Sequence, residues 1–124
     1  MPAAPIRIVV ADHSPLYRKM VCNMLEKLPR LQVVAEAEDG LYAVQAVEKL
    51  KPDVVLMDVG IPVINGIDAT WIIKSKFPNV RVIVLTMHEV GSTSEAAFKA
   101  GAFWCLDKEC TPDEMIRAIR TAGI

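Results

Sequence analysis

Short apolar runs, repeated along the chain, are the feature that most restricts its possible folds. Each run is too short for an ordinary helix and carries at most one charged residue in its interior. Such runs are typical of strands buried in a parallel sheet, and segments with helical spacing separate them. The alternation predicts a doubly wound α/β fold, with a five-stranded parallel sheet and helices on both faces. The strand candidates are residues 6–11, 33–35, 53–58, 82–85 and 103–106.

Helical segments begin at recognisable caps. Ser14 precedes Pro15, and Thr111 precedes Pro112 with Glu114 close behind, so both places are predicted helix starts. The fourth helix is rich in alanine, and we expect it to pack most loosely. The apolar residues at helical spacing form five groups: Leu16, Met20, Met24 and Leu28; Leu41, Val44, Val47 and Leu50; Ile67, Trp71 and Ile72; Ala96, Ala97 and Ala100; and Met115, Ile119 and Ala122. We expect the second of these groups to face inward.

The composition is that of one globular domain. A chain of 124 residues can bury a core without staples, and 52% apolar with 23% charged residues argues against disorder. We therefore expect residues 1–124 to form a single domain with an ordered core over about 5–122. The net charge of −1 gives no electrostatic basis for direct nucleic-acid binding. No apolar run approaches a membrane span, so we expect no membrane partner and a cytoplasmic location.

The cysteines fit a reducing compartment. There are three of them, an odd number, and their positions lack metal-ligand spacing. Cys22 falls in a helical stretch and Cys105 in a strand run, where a buried thiol behaves as a small apolar residue. Cys110 lies in a polar turn and is the one that we expect to be exposed.

Polar side chains stand where the apolar runs end. Asp12, Asp58 and Thr86 each follow such a run, and Lys108 lies just beyond the last one. Open α/β sheets bind ligands in the crevice at the carboxyl ends of their strands. After Asp58 the segment 58–66 contains glycine, proline and an Asn-Gly pair, which are turn-forming residues. Asp58 alone is equally consistent with a residue that caps its strand and with a carboxylate placed for chemistry.

The order of these pieces resembles the receiver domains of two-component response regulators, most closely those of the NarL/FixJ type. The matching pieces are residues 10–12 with Pro15 and Leu16, residues 58–66, residues 84–88, and residues 100–102 leading to Lys108. The resemblance covers about residues 5–122. It implies a flavodoxin-like, CheY-like sheet in which the fifth strand lies at an edge. Four spaced motifs in the right order make the resemblance specific.

The resemblance implies a role for each strand-end residue. Asp58 would be the phosphoacceptor, receiving a phosphoryl group from a histidine kinase. Asp12, Asp58 and the backbone carbonyl of Gly60 would bind Mg²⁺, which prefers oxygen ligands. Thr86 would donate a hydrogen bond to a phosphoryl oxygen, and Lys108 would place a compact positive charge beside it. Alone, Thr86 also suits a strand end and Lys108 a solvated turn; together with Asp58 they favour the active site.

His13 is the main departure from the family pattern. Receivers usually carry two adjacent acids after the first strand, and His13 stands in place of the second. Imidazole is a poor ligand for Mg²⁺. Two interpretations remain open. In the first, the cation site is weakened or altered. In the second, Asp12 moves towards the cation, or a water molecule takes the place of the missing carboxylate.

The segment whose conformation reports phosphorylation in the family also departs from the family pattern. The family usually has Tyr or Phe where this chain has Cys105, and its ring rotation accompanies Thr86 in the switch. Either the neighbouring Trp104 takes over that signal or the switch is muted. His88 and Met87 follow Thr86 and are candidate modulators of access to the phosphoryl group, although a loop histidine is more often simply solvated.

The sequence bears on three classes of function. The first is a phosphoacceptor signalling domain that is not a turnover enzyme and controls an output surface. The second is a phosphorylation-independent receiver that acts as a protein-interaction module, which His13 and Cys105 favour. The third, a nucleotide-binding enzyme, is disfavoured because no glycine-rich phosphate loop follows the first strand.

The resemblance also implies partners. We expect a histidine kinase, a possible homodimer through the last helix–strand–helix segment, and DNA contact only through a transcription effector domain outside this chain. The sequence leaves open whether the chain stands alone or is the N-terminal half of a transcription regulator.

Overall fold

The computed structural model describes residues 4–87 and 91–124. Within them, strands and helices alternate strictly along the chain, as the apolar runs predict. Short turns join them. The strands are β1 (Ile6–Ala11), β2 (Leu31–Ala37), β3 (Val54–Asp58), β4 (Arg81–Thr86) and β5 (Trp104–Asp107), and the helices are α1 (Pro15–Glu26), α2 (Gly40–Leu50), α3 (Gly66–Lys76), α4 (Gly91–Lys99) and α5 (Pro112–Ala122).

The strands form one parallel five-stranded sheet in the order β2-β1-β3-β4-β5. The predicted fold class is therefore confirmed, including the position of β5 at an edge. The order reverses direction between β1 and β3, which is where doubly wound sheets open a ligand crevice. Pairing of β1 with β2 shifts register between Ile8 and Val9, so that edge of the sheet is irregular.

Each face of the sheet is covered by its own group of helices. Alternate residues of a strand point to opposite faces, so β1 sends Val9 to one face and Ile8 and Val10 to the other. One layer packs α1 and α5 against the sheet, and the other packs α2, α3 and α4. The helix residues buried in the first layer are Val21, Cys22, Leu25, Met115, Ile119 and Ala122; those in the second are Ala43, Ala46, Val47, Ala69, Ile73 and Ala97.

The apolar row predicted for α1 is only partly buried, since Met24 and Leu28 pack against the core but the first two residues of the row do not. Leu16 is 81% exposed and Met20 is 57% exposed, whereas Val21 and Leu25 are buried against the sheet. Both pairs have a spacing of four, and rows with this spacing run along every side of a helix. Spacing alone could therefore not distinguish the buried row from its neighbour.

Small residues, rather than the largest apolar ones, bring α2 and α3 close to their neighbours. Leu41 and Trp71 are exposed, whereas Gly40 and Gly66 are buried. A Cβ at Gly40 would lie 1.8 Å from the Ile64 carbonyl oxygen, so only glycine fits there. The prediction for α5 is confirmed, since Met115, Ile119 and Ala122 are buried. Ala97 in α4 and Ala100, just after its end, are buried, but Ala96 is exposed.

Candidate functional site

The fold brings the predicted strand-end residues to one edge of the sheet. Asp12 follows β1, Asp58 ends β3, Thr86 ends β4 and Lys108 follows β5. Asp12, Asp58 and Thr86 are buried, and only 7% of the Lys108 side chain is exposed. Buried carboxylates are uncommon unless they are paired or bind a cation. Their grouping at the carboxyl edge therefore indicates a built site rather than four separate strand caps.

Donors surround the Asp58 carboxylate. The Gly60 amide donates to Oδ1 at 3.0 Å, and the Lys108 ammonium lies 3.3 Å from the same oxygen. The other oxygen, Oδ2, contacts Nδ1 of His13 and accepts the His13 amide at 3.4 Å. Burial acts to raise the pKa of Asp58, but these hydrogen bonds and the lysine charge outweigh it, so the pKa lies below its ordinary value. Asp58 is therefore held ionised.

Asp12 supplies a second, fully buried carboxylate. Its Oδ1 accepts the Ser14 amide at 2.8 Å, an arrangement that also orients the start of α1. Its Oδ2 lies 2.6 Å from the Lys108 ammonium, but no contact from residues 4–87 or 91–124 meets hydrogen-bond geometry at this atom. One ammonium thus bridges two buried acids.

Backbone and aromatic contacts fix the position of Lys108. Its amide donates to the Thr86 carbonyl at 2.8 Å, which ties the ends of β4 and β5 together. The Tyr17 ring lies 4.8 Å from the ammonium, and the Tyr17 hydroxyl donates to the Lys108 carbonyl at 3.3 Å. Burial and the nearby negative charges raise the pKa of Tyr17. The sequence reasoning missed Tyr17, although its place three residues after the Ser14 cap puts it in the first turn of α1.

The residues present are suited to a divalent cation. Asp12, His13 and Asp58 offer ligand atoms that all lie within 4.8 Å of one another. Two buried carboxylates face the single ammonium of Lys108, which leaves an excess of negative charge among these side chains. Gly60 meets Asp58 through its amide. Its carbonyl as a metal ligand stays a prediction.

The predicted modulator and switch residues differ in their exposure to solvent and in their packing. Met87 is exposed, and His88 lies outside the described residues. Trp104 is half exposed and meets Phe98 of α4 edge to face, with ring centroids 6.0 Å apart. Cys105 is buried in the layer formed by α2, α3 and α4. Cys110, which we expected to be exposed, is partly buried.

A parallel sheet of this order, with two acids, a hydroxyl and a lysine at its carboxyl edge, is typical of phosphoacceptor signalling domains. Comparison with known families agrees: the family model described as "Response regulator receiver domain" matches residues 8–120. The chain belongs to the response regulator receiver family. Magnesium binding and phosphorylation are typical of this family.

Individual relatives show the same resemblance. The transcriptional regulatory protein DegU of Brevibacillus brevis is 41% identical over 118 residues, covering 95% of this chain and 50% of its own. A protein-glutamate methylesterase/protein-glutamine glutaminase of Myxococcus xanthus is 39% identical over 110 residues, covering 88% of this chain and 31% of its own. The solved receiver domain of the response regulator NarL from Mycobacterium tuberculosis superposes with a TM-score of 0.93 at 29% identity, covering 98% of both chains.

The relatives extend well beyond the receiver. This chain spans about half the length of the transcription regulators that it matches, 50% of DegU and 53% of LnrK from Bacillus subtilis. One relative is named for gene regulation and another for an enzyme activity, so the receiver alone does not specify the output. Within residues 4–87 and 91–124, none of the helices combines the length and the apolar character needed to cross a bilayer.

Proposed function

We propose that Asp58 is the sole phosphoacceptor of this receiver and that a histidine kinase supplies the phosphoryl group. The observation that supports this most directly is the environment of the Asp58 carboxylate. It is buried at the end of β3, contacted by Lys108 and Gly60, and has a lowered pKa. A nucleophilic carboxylate must be ionised, and this environment keeps it so.

In the proposed transfer, a carboxylate oxygen of Asp58 attacks phosphorus, an oxygen–phosphorus bond forms, and the phosphorus–nitrogen bond of the phosphohistidine donor breaks. The electron pair of that bond leaves with the donor imidazole. Lys108 balances the charge on the phosphoryl oxygens, and the Thr86 hydroxyl donates to one of them. When bound by Asp12, Asp58 and the Gly60 carbonyl, Mg²⁺ supplies further charge neutralisation. The product is an aspartyl phosphate, so the domain is modified stoichiometrically and does not turn over as an enzyme.

The proposed output surface is the segment from about Ser92 to Ala122. Thr86 and Lys108 precede and follow α4 and β5 in the sequence, and the Lys108 amide is bonded to the Thr86 carbonyl. Movement of both residues towards a phosphoryl group on Asp58 would shift the intervening helix. Through this surface the domain would control a transcription effector, with DNA bound only by that effector, and would form a homodimer. A cytoplasmic location accords with this role.

The competing proposal is a phosphorylation-independent interaction module. His13 is the observation that favours it, because its imidazole contacts the acceptor oxygen that a phosphoryl group or a cation would need. Cys105 also favours it, because a cysteine cannot rotate as the usual aromatic ring does. The intact set of Asp58, Thr86 and Lys108 favours the phosphoacceptor.

Mass spectrometry after incubation with a small phosphodonor tests the proposal. The chain should gain one phosphoryl mass in the presence of either Mg²⁺ or Mn²⁺, and Asp58→Asn should abolish the gain. Asp107→Asn is the matched control, because Asp107 is another carboxylate at the end of a strand and should be dispensable. Wild-type labelling of Asp58→Asn would refute the assignment, and no labelling of the wild type with either ion would favour the interaction module.

A further inference from the structure

We propose that His13 is a metal ligand and makes this site selective for a first-row transition-metal dication, such as Mn²⁺, over Mg²⁺. This inference rests on the proposed function, since the cation would occupy the same site beside Asp58. The family typically uses Mg²⁺, which prefers oxygen ligands. The ion proposed for this site is instead one that accepts a nitrogen ligand.

The position of the His13 ring is the first support. Its Nδ1 contacts Oδ2 of Asp58 and lies 3.9 Å from Oδ1 of Asp12. The His13 amide also donates to the same oxygen of Asp58, so backbone and ring both approach the acceptor. Although 53% of the side chain is exposed, its Nδ1 points into the site rather than to solvent.

The second support is the compactness of the ligand set. Metal–ligand bonds to imidazole and carboxylate are about 2.0–2.2 Å, so two ligands of one ion lie at most about 4.4 Å apart. The candidate atoms of Asp12, His13 and Asp58 all lie within 4.8 Å of one another. Small side-chain rotations therefore bring the three onto one ion.

The third support is the state of Asp12. This side chain has no exposed surface, and its Oδ2 meets the Lys108 ammonium at 2.6 Å. That ammonium is shared with Asp58, and Arg18 reaches only the backbone carbonyl of Asp12. Two buried carboxylates thus share one ammonium, and this excess of negative charge favours a further cation at this point.

The chemistry of these ligands indicates which cation the site prefers. Mg²⁺ holds oxygen ligands in a near-ideal octahedron and gains little from imidazole. Imidazole suits zinc, iron, nickel and copper ions best. Mn²⁺ takes carboxylate and water ligands as Mg²⁺ does, but as a first-row transition-metal ion it accepts a nitrogen ligand more readily than Mg²⁺ does. The site offers one nitrogen and two carboxylate ligands, and this set disfavours Mg²⁺. A third carboxylate in place of His13 would favour Mg²⁺.

Binding measured without phosphodonor tests the inference independently of phosphorylation. Calorimetric titrations with Mn²⁺ and with Mg²⁺ give an affinity ratio for the wild type and for His13→Asp. We expect the ratio of Mn²⁺ to Mg²⁺ affinity to fall by about tenfold in His13→Asp, the lower end of the range seen when a metal ligand's surroundings change. An unchanged ratio would overturn the proposal.

Pulsed electron paramagnetic resonance gives a second, structural readout. Nitrogen hyperfine coupling to bound Mn²⁺ should be present in the His88→Gln protein, which keeps only His13 of the two histidines. It should be absent from His13→Gln. Absence of coupling in His88→Gln would overturn the proposal even if His13→Gln failed to fold. Failure of Asp58 to accept a phosphoryl group with either ion would instead refute the proposed function while these binding results stood.

Discussion

At the scale of single residues, one lysine holds two buried acids in place. The Lys108 ammonium lies 2.6 Å from Asp12 and 3.3 Å from Asp58, and its side chain is almost completely buried. Removing one partner of a buried charge pair is costly because the remaining charge has no solvent to compensate it. Lys108 therefore contributes to folding as well as to the proposed chemistry.

We predict that Lys108→Met lowers the free energy of unfolding by about 3 kcal/mol at neutral pH, measured by urea denaturation in the presence of a chelator. The loss should shrink on acidification. Because the folded-state pKa of Asp58 is lowered, its stabilising contribution is present above the ordinary carboxyl pKa and disappears as the pH falls through the folded value.

Lys99→Met, at the exposed end of α4, is the control and should change little. Addition of Asp12→Asn to Lys108→Met should recover part of the loss. A loss that is independent of pH and of Asp12 would contradict the ion-pair explanation.

Backbone strain at Val63 leads to a second prediction at this scale. Val63 has a φ of 73° and is 72% exposed, so a β-branched residue adopts a left-handed conformation without burial to compensate. Val63→Asn should raise the free energy of unfolding by about 1 kcal/mol, because asparagine tolerates this region. Val63→Ala, which lacks that tolerance, is the matched control and should gain less; equal gains would mean that the φ angle is not the cause.

At the scale of elements, the sequence predicted the strands and the strand-end residues well, and it predicted the buried face of α5 but only part of the buried faces of the other helices. A short run that is apolar throughout fits a strand that is buried on both faces. The sheet then fixes the position of the polar residue that ends the run. A helix row such as Leu16 and Met20 has no such constraint, since a neighbouring row at the same spacing is buried instead. Tyr17 was missed because its contact with Lys108 arises only when the turn after β5 meets the start of α1 in the folded chain.

The close approach of α3 to β3 leads to a prediction about Gly66. A Cβ there would lie 2.3 Å from the Asp58 carbonyl oxygen and 2.7 Å from Cα of Val59, and backbone atoms cannot easily yield. Gly66→Ala should lower the free energy of unfolding by about 2 kcal/mol and slow phosphorylation, because Asp58 is displaced.

The matched control is Gly91→Ala in α4, where a Cβ meets nothing within 4 Å. This variant should be more stable than the wild type by about 0.5 kcal/mol, as alanine is the better helix former. Denaturant unfolding and the phosphoryl mass gain measure both effects. Equal stability of the two variants would show that α3 can move away from β3 without cost.

At the scale of the whole molecule, the family and fold followed from the order of motifs, whereas the consequences of His13 and Cys105 depend on contacts that form only in the folded chain. The sequence showed that His13 replaces an acid, but not that its ring contacts the acceptor carboxylate. It likewise placed Trp104 beside Cys105 without revealing the contact with Phe98. Such contacts depend on side-chain direction across elements, which spacing does not encode.

The Trp104–Phe98 contact gives a test of long-range switching. Beryllofluoride with Mg²⁺, a mimic of the phosphoryl group, should change Trp104 emission because movement of α4 separates the two rings. Trp71→Phe is a suitable background, since Trp71 is exposed and its loss leaves the core intact. Amide exchange should change mainly between residues 92 and 122.

Asp58→Asn in the same background is the control and should show no response. If the wild type shows no spectral change, and exchange alters only beside Asp58, then Cys105 marks a lost switch. The interaction-module interpretation would then be the better one.

The register shift between β1 and β2 has a consequence for self-association. A regular outer strand offers its unpaired amides and carbonyls as a template on which other chains can add. Here the pairing of β2 slips between Ile8 and Val9 of β1, and β2 carries the exposed, charged Glu36, which pairs with Arg18. Uninterrupted strand addition along this edge is thereby disfavoured, so we expect that copies of the domain do not associate by extending the sheet at β2.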